Sequence, residues 1–258
     1  MIVDTKAKIV ENRFISGKTW IMKLEAPQIT KNSKPAQFVM IKPTLENYYD
    51  PLLRRAFAVA DVEDENIVVY YDIHGRGTYY LSTLKTGDSV DVLGPLGNNL
   101  FPENYDKYII VGGGIGFAGL SLLMKRLREK GKGFVSLYGA RSKDELSMID
   151  WIKENNFDVI FYTDDGSFGK RGLITQDLES LIRENLNSAL AVCGPTPMMR
   201  AVSKIAKSLN IPCYLSLETK MACGIGICIG CVVKDVQSDN YVRVCYEGPV
   251  FEASQIEL

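Results

Sequence analysis

Four cysteines near the C-terminus, Cys223, Cys228, Cys231 and Cys245, carry the most specific chemistry in this sequence. Three lie in the run Lys220-Met-Ala-Cys-Gly-Ile-Gly-Ile-Cys-Ile-Gly-Cys231, and Cys245 follows a short polar stretch. The spacing C-x4-C-x2-C…C is that of thiolates holding a [2Fe–2S] cluster. Three thiolates on one loop reach two irons only if the backbone wraps closely, and Gly224, Gly226 and Gly230 remove side chains that would obstruct it. Backbone N–H groups freed in such a loop point at sulfur and tune its potential.

Other thiol chemistry fits less well. Structural zinc usually takes two C-x2-C pairs, whereas only Cys228 and Cys231 form one here. Disulfides belong to exported proteins, and the opening residues Met-Ile-Val-Asp-Thr-Lys carry no signal-peptide pattern. Cys193 and Cys213 fall outside the cysteine pattern, and Cys213 reads as a small buried hydrophobe. A cluster means electron transfer, so the remainder of the chain is expected to supply or accept electrons.

Two glycine-bearing turns look built for phosphate. Gly112-Gly-Gly-Ile-Gly116 stands between an apolar run, Tyr108-Ile-Ile-Val111, and an amphipathic stretch. Backbone N–H groups and a helix dipole hold a pyrophosphate at such a place. Gly114-x-Gly116-x-x-Gly119 also satisfies the dinucleotide fingerprint, although glycine-rich turns occur for packing as well. The second strand ends Tyr138-Gly-Ala-Arg141 without the usual acidic residue; Arg141 taken alone points toward a 2′-phosphate. Earlier, Gly75-Arg-Gly-Thr78 precedes a short helical stretch over 79–84, with the hydroxyl expected as its N-cap. Upstream, Arg54-Arg55-Ala-Phe57 offers a guanidinium for a phosphate and a ring for an aromatic cofactor. A solvated pair and a core ring would read the same.

The elements that position these groups follow from periodicity. Residues 8–15, 19–26, 37–43, 55–62, 67–73 and 89–93 are short runs rich in Val, Ile, Phe and Tyr, separated by turn residues. Six strands with no long helix predict a closed antiparallel β-barrel. From residue 104, strands at 108–111, 133–138, 158–163 and 188–192 alternate with helices at 118–130, 143–153, 174–185 and 197–209. That alternation predicts a parallel α/β sheet. The fold class is therefore β plus α/β: a barrel over 1–101, a nucleotide-binding α/β domain over 102–210 and a small cysteine-bearing lobe over 211–258. In that lobe, 213–217 reads as a strand and 241–246 as a hairpin return.

Composition narrows the function. The 258 residues are 46% hydrophobic, and 30 basic against 31 acidic residues leave a net charge of −1. There is no electrostatic case for nucleic acid or an anionic membrane, and no apolar run approaches a transmembrane length. The cytoplasm is the expected compartment. His74 is the single histidine. It excludes a Rieske centre, which needs two, and leaves a Ser-His-Asp or Cys-His site little room.

The order of motifs resembles the ferredoxin-reductase-type flavoproteins: an arginine-bearing strand, a G-x-G-T helix start, a G-G-G-x-G turn, and Cys193-Gly194-Pro195. With the run 216–231 and Val242-Arg-Val-Cys-Tyr-Glu-Gly-Pro-Val-Phe251, nearly the whole chain is similar to the electron-transfer subunits of NAD-dependent bacterial dihydroorotate dehydrogenase. The resemblance implies FAD in the barrel, NAD in the α/β domain and the [2Fe–2S] cluster in the lobe. It implies a catalytic partner holding FMN, which oxidises dihydroorotate to orotate in pyrimidine (UMP) biosynthesis, in an assembly of two catalytic and two electron-transfer subunits. Electrons would pass from partner FMN through cluster and FAD to NAD+. No side chain of this chain then has to act as a catalytic acid or base, in keeping with one histidine.

Carried over by position, Arg55, Ala56, Phe57 and Ala58 correspond to the family's flavin strand. Tyr70, Tyr71 and Asp72 fall on its next flavin-contacting strand, and Gly77 and Thr78 on its pyrophosphate contact. Gly112, Gly113, Gly114 and Gly116, with Cys193, Gly194 and Pro195, fall on the nucleotide side. Ala56 replaces a usual proline and Ala58 a usual serine, removing a hydrogen bond on the order of 1 kcal/mol. Asp72 replaces a usual arginine near the phosphates, an unfavourable exchange unless Arg54 or Arg76 compensates. Gly119 replaces a usual proline. Tyr162-Thr-Asp-Asp165 lies where NADP-dependent relatives place serine and arginine, and carboxylates there repel a 2′-phosphate; NAD is the expected nucleotide. Ile225, Ile227 and Ile229 are expected to face a partner or the flavin domain. Two competing readings are a paralogous reductase serving another redox partner and a zinc-binding protein with decayed cofactor sites.

Overall fold

A computed structural model describes residues 1–43 and 50–258; residues 44–49 of the barrel segment lie outside the described residues. Seven strands form the first sheet: β1 (Val3–Ser16), β2 (Thr19–Glu25), β3 (Phe38–Ile41), β4 (Arg55–Ala58), β5 (Asp61–Glu63), β6 (Asn66–Asp72) and β7 (Ser89–Leu96). Helices α1 (Pro27–Thr30) and α2 (Arg76–Thr83) interrupt them. The order is β4-β3-β7-β1-β2-β6-β5, every pair antiparallel.

The apolar run at 55–62 forms two strands rather than the expected one, and they lie at opposite edges of the sheet. Between them, Val59 N–H bonds Gln37 O at 2.9 Å and Ala60 N–H bonds Val68 O at 2.9 Å. The backbone thus steps from one edge to the other and draws the sheet into a half-barrel, without a continuous ladder between β4 and β5. β1 begins earlier than its apolar pattern because Val3–Lys8 pair with β7 while its second half pairs with β2. Ile9, Met22, Leu24, Val39, Ile41 and Tyr71 fill the interior.

The second sheet contains β8 (Lys107–Gly113), β9 (Gly133–Ala140), β10 (Val159–Thr163), β11 (Lys170–Arg171), β12 (Ser188–Cys193) and β13 (Cys213–Ser216). After a two-stranded hairpin, β14 (Val232–Asp235) and β15 (Asn240–Arg243), the chain returns as β16 (Val250–Glu252). The order is β11-β10-β9-β8-β12-β13-β16. All pairs are parallel except β13–β16, so the sheet is mixed rather than purely parallel. Three-residue β16 is too short for a sequence pattern to reveal.

Helices α3 (Ala118–Glu129) and α4 (Ile149–Glu154) contribute to one buried cluster; α5 (Leu178–Glu184) and α6 (Thr196–Ser208) contribute to another. The expected helix at 143–153 is a 3₁₀ turn at Lys143–Glu145 followed by α4. The cluster of α5 and α6 also holds Met40 and Leu96 of the half-barrel and Cys231 and Cys245 of the last segment, so one apolar interior joins all three parts. Strand order reverses between β8 and β12, the place where ligands bind in such sheets.

Candidate redox site

A cavity of about 600 Å³ lies where the half-barrel, the second sheet and the approach to the cysteines meet. Arg55, Ala56, Phe57 and Ala58 of β4 line it, as do Tyr70, Tyr71 and Asp72 at the end of β6. Gly77 and Thr78 of α2, and Cys193, also face it. These ten sequence-derived candidates share one cleft although 138 positions separate the first from the last.

The start of α2 is held against β4. Its N-cap is Gly75, and Thr78 sits inside the first turn. The expected N-cap hydroxyl instead reaches back and accepts the N–H of His74 at 2.9 Å and of Gly75 at 3.3 Å. The helix therefore begins a turn before the expected 79. A Cβ on Gly77 would lie 2.5 Å from Nε of Arg55, so glycine lets the guanidinium cross the helix start. The other end of α2 is fixed by Asn12, whose amide donates to Leu81 O and Leu84 O at 2.8 Å. Asn12 in turn accepts the Tyr71 hydroxyl at 2.8 Å, and the Phe57 and Tyr71 rings pack 5.7 Å apart.

Neither Arg54 nor Arg76 pairs with Asp72. Arg54 pairs with Asp4 at 2.9 Å and Arg76 with Asp50 at 2.5 Å. Asp72 instead accepts the Thr19 hydroxyl at 2.6 Å and has Lys18 Nζ at 3.2 Å and His74 Nε2 at 3.7 Å. Lys18 reaches it because β2 pairs with β6, setting Thr19 opposite Asp72.

The residues before the cysteines also wall the cleft: Ser216, Leu217, Glu218, Thr219, Lys220 and Met221. Sequence reasoning gave them no role; the readable signal was a carboxylate following the apolar strand run Tyr214-Leu-Ser-Leu217. Glu218 opens onto the cleft yet is desolvated by the protein around it. That desolvation, then the Asp72 charge, pushes its carboxyl above the ordinary 4.5. Cys193 is driven well above a normal thiol by burial and then by Glu218, against a hydrogen bond from Ser216. It is a neutral thiol in the cleft wall. The Thr219 hydroxyl oxygen is buried with no hydrogen-bond partner among the described residues. A cleft with an arginine over a helix start, aromatic rings and an unspent hydroxyl fits a flavin nucleotide.

Gly112, Gly113, Gly116, Gly194 and Pro195 do not line this cavity. They pack the turn after β8 against the turn after β12. A Cβ on Gly113 would meet Met198 Sδ at 2.6 Å and Pro195 Cδ at 2.8 Å; one on Gly116 would meet Gly194 Cα at 2.7 Å. Gly114 differs: it takes a left-handed φ of 52° and a Cβ there would meet nothing within 4 Å. The open face of the turn is at Gly114, beside the reversal in strand order. Across the adjacent strands, Asp164 N–H bonds Ala140 O and Asp165 N–H bonds Arg141 O, both at 3.2 Å. Arg141 is occupied, donating Nη2 to Glu145 Oε1 at 2.5 Å and Nε to Oε2 at 3.2 Å.

The four remaining thiols come as two pairs. Cys231 and Cys245 are buried with sulfurs 3.2 Å apart. Cys223 Sγ accepts the N–H of Ile225 and of Cys228, each at 3.4 Å. Burial raises the Cys223 thiol, but those N–H groups outweigh it and bring it down to about 6. Cys245 is pushed up to about 12 by burial and then by Cys231. No three His, Cys, Asp or Glu among the described residues form a group for a single metal ion. Two thiol pairs, with N–H groups on one sulfur, fit the donor set of a two-iron cluster. Gly224 and Gly226 take φ of 73° and 86°, where side chains strain. A Cβ on Gly224 would meet Met40 Cγ at 2.7 Å, so the loop rests on the half-barrel. At Gly230 the nearest neighbour, Cys228 Sγ, is at an ordinary 3.5 Å, and glycine there is not demanded by crowding. Ile225, Ile227 and Ile229 point outward, the last two 75% and 64% exposed.

Half-barrel, doubly wound sheet and thiol loop together define a ferredoxin-reductase-like oxidoreductase. A reported NADH-dependent reduced ferredoxin-NADP oxidoreductase structure superposes with a TM-score of 0.85 at 31% identity, covering 97% of this chain and 89% of that one. Phthalate dioxygenase reductase, at 17% identity and a TM-score of 0.66, shares the fold over 98% of this chain and 77% of its own. Residues 110–204 match the oxidoreductase NAD-binding domain, and 218–257 the iron–sulfur cluster binding domain of dihydroorotate dehydrogenase B. Similar relatives are a dihydroorotate dehydrogenase B (NAD(+)) electron transfer subunit homolog of Aquifex aeolicus, 41% identical over all of both chains, and the corresponding subunit of Caldanaerobacter subterraneus, 36% identical over 97% of each. The chain belongs to the family of dihydroorotate dehydrogenase B electron transfer subunits.

Proposed function

We propose that this chain carries electrons between the FMN of a catalytic dihydroorotate dehydrogenase subunit and NAD+. It would use FAD in the cleft, a [2Fe–2S] cluster on Cys223, Cys228, Cys231 and Cys245, and a nicotinamide nucleotide at the turn around Gly114. When bound, FAD exchanges single electrons with an iron–sulfur centre and hydride with nicotinamide. The observation that carries this reading is the shared cleft: its walls come from the half-barrel, from the helix after the glycine turn and from the segment ending at Met221, two residues before Cys223.

The side chains act by binding and orienting. Arg55 and the start of α2 would hold the FAD phosphate, Phe57 and Tyr71 would offer aromatic surface, and Thr219 would supply a hydroxyl. Segments 1–101, 102–210 and 211–258 serve as flavin, nucleotide and cluster units, with β13 and β16 of the last joined to the central sheet. The exposed Ile225, Ile227 and Ile229 form the face toward the catalytic subunit, in an assembly of two plus two. Among the described residues no helix is long and apolar enough to cross a membrane; we assign the assembly to the cytoplasm and to pyrimidine biosynthesis.

The test is anaerobic purification of the chain alone. NADH should bleach flavin and cluster bands and drive artificial acceptors, with no dihydroorotate oxidation until the catalytic subunit is added. Dihydroorotate oxidation by the isolated chain would overturn the reading. A second reading, a paralogous reductase with a different partner, is favoured by Ala56, Ala58 and Asp72; co-purification of the native partner separates the two.

A further inference from the structure

The half-barrel and the nucleotide domain are joined behind the cleft by a buried charge. Asp61 on β5 is fully buried, and its carboxylate is taken up by donors from three elements. Oδ1 accepts the N–H of Val62 at 2.8 Å. Oδ2 accepts Trp151 Nε1 from α4 at 2.8 Å and Lys125 Nζ from α3 at 2.5 Å. One turn earlier on α3, the Ser121 hydroxyl donates to Ala60 O at 2.6 Å, and Leu122 packs into the half-barrel interior. A turn before that, Ala118 and Gly119 wall the cleft. Positions 118, 121, 122 and 125 share one helix face, so α3 is fastened to the half-barrel along its length, and Asp61 holds its far end.

The helix so held begins at the Gly112–Gly116 turn. Seven residues of α-helix separate Ala118 from Lys125, a lever of roughly 10 Å. Pivoting about Ser121 would swing the turn over the cleft in the opposite sense to any movement at Lys125. A buried ion pair is a poor source of stability, since apolar replacements of similar volume are often neutral; its best attested use is to specify one arrangement among several. Leu122 and its neighbours would hold a helix anywhere along an apolar groove, whereas the Asp61 carboxylate accepts Lys125 at one register.

We propose that Asp61 is a positioning residue for hydride transfer: through Lys125 and α3 it sets the distance and angle between the nucleotide turn and the flavin cleft without touching either ligand. This rests on the reading of cleft and turn given above. Small misplacements of reacting groups cost rate steeply, so the effect belongs to the NADH half-reaction and not to the outflow of electrons.

The test compares wild type with Asp61→Asn and with Asp61→Asn/Lys125→Met, the double variant leaving no unpaired buried charge. Full-length protein loaded with FAD and cluster is reduced by NADH in stopped flow, and dithionite-reduced protein is separately reoxidised by ferricyanide. Flavin reduction by NADH should fall more than about tenfold in both variants, with reoxidation unchanged. Amide exchange over residues 114–121 in flavin-free protein should rise. The double variant should recover its thermal midpoint and not its rate. Wild-type hydride transfer and wild-type exchange in the double variant would overturn the role of Asp61 alone. Flavin bands of wild type that ignore NADH would overturn the functional reading, and this one with it.

Discussion

The sulfurs of Cys231 and Cys245 lie 3.2 Å apart although 14 positions separate them, because the β14–β15 hairpin folds one back onto the other. The closing backbone bond, Val244 N–H to Cys231 O at 3.0 Å, fixes that approach beside the pair. This buried pair is the inner half of the thiol set; Cys223 and Cys228 form the outer half, on a loop resting against Met40. Under the proposed cluster assignment, replacing Cys245 by serine would remove a soft ligand from the buried half. Cluster absorbance and bound iron should be lost while flavin bands persist, measured by visible spectrum and iron analysis after anaerobic purification.

Gly77→Ala tests the crossing of Arg55 over α2. The added Cβ would meet Nε, Cζ and Nη2 at 2.5 to 2.8 Å, forcing the guanidinium off the helix start. Losing one charge-assisted contact of roughly 1.5 kcal/mol should weaken FAD about tenfold. Titration of flavin-free protein with FAD, followed by fluorescence quenching, checks it. Folding should be little affected, since the guanidinium lies toward the cleft.

Glu218 predicts a pH dependence. Desolvation by the cleft walls, then the Asp72 charge, raises its folded pKa above the ordinary 4.5, so the folded chain holds that proton more tightly than the unfolded chain. The stability this gives is complete below the unfolded value and is lost as pH rises through the folded one. Thermal midpoints of flavin-free protein should therefore decline as pH rises above the ordinary 4.5 relative to Glu218→Gln, in which that contribution is absent. Parallel curves for the two proteins would refute it.

Glu145 holds Arg141 in a two-point ion pair at the end of β9, with Asp164 and Asp165 alongside. Glu145→Gln should release the guanidinium and raise kcat/KM for NADPH about fivefold, the scale of one exposed charge contact, with NADH nearly unchanged. The gain should shrink in high salt, since exposed charges are screened beyond about 10 Å at 0.1 M. Steady-state rates with both nucleotides at two ionic strengths decide it.

Local spacing was legible without the structure. The cysteine interval, the alternation of strand and helix after residue 104 and the glycine turn after an apolar strand are all consequences of geometry within a few residues. So were the ten cleft residues from Arg55 to Cys193, which a motif order identified. The two strands at opposite edges in 55–62 were not, because an apolar run says nothing of which neighbour each half finds. Nor was the bonding of Thr78, whose hydroxyl accepts the backbone N–H groups of His74 and Gly75 instead of capping a helix ahead.

Sequence alone determined the thiol spacing, the two chain classes and the positions of the two glycine-bearing turns, since each is encoded within one element. Tertiary structure alone decided that Lys18 answers Asp72, that Gly113 and Gly116 serve packing while Gly114 stays open, and that Glu218 and Thr219 enter the cleft. It also decided that Asp61 meets Lys125 and Trp151. Each of those relations joins residues from different elements, and the strand order that brings them together is set by burial of the whole chain and not by any local pattern.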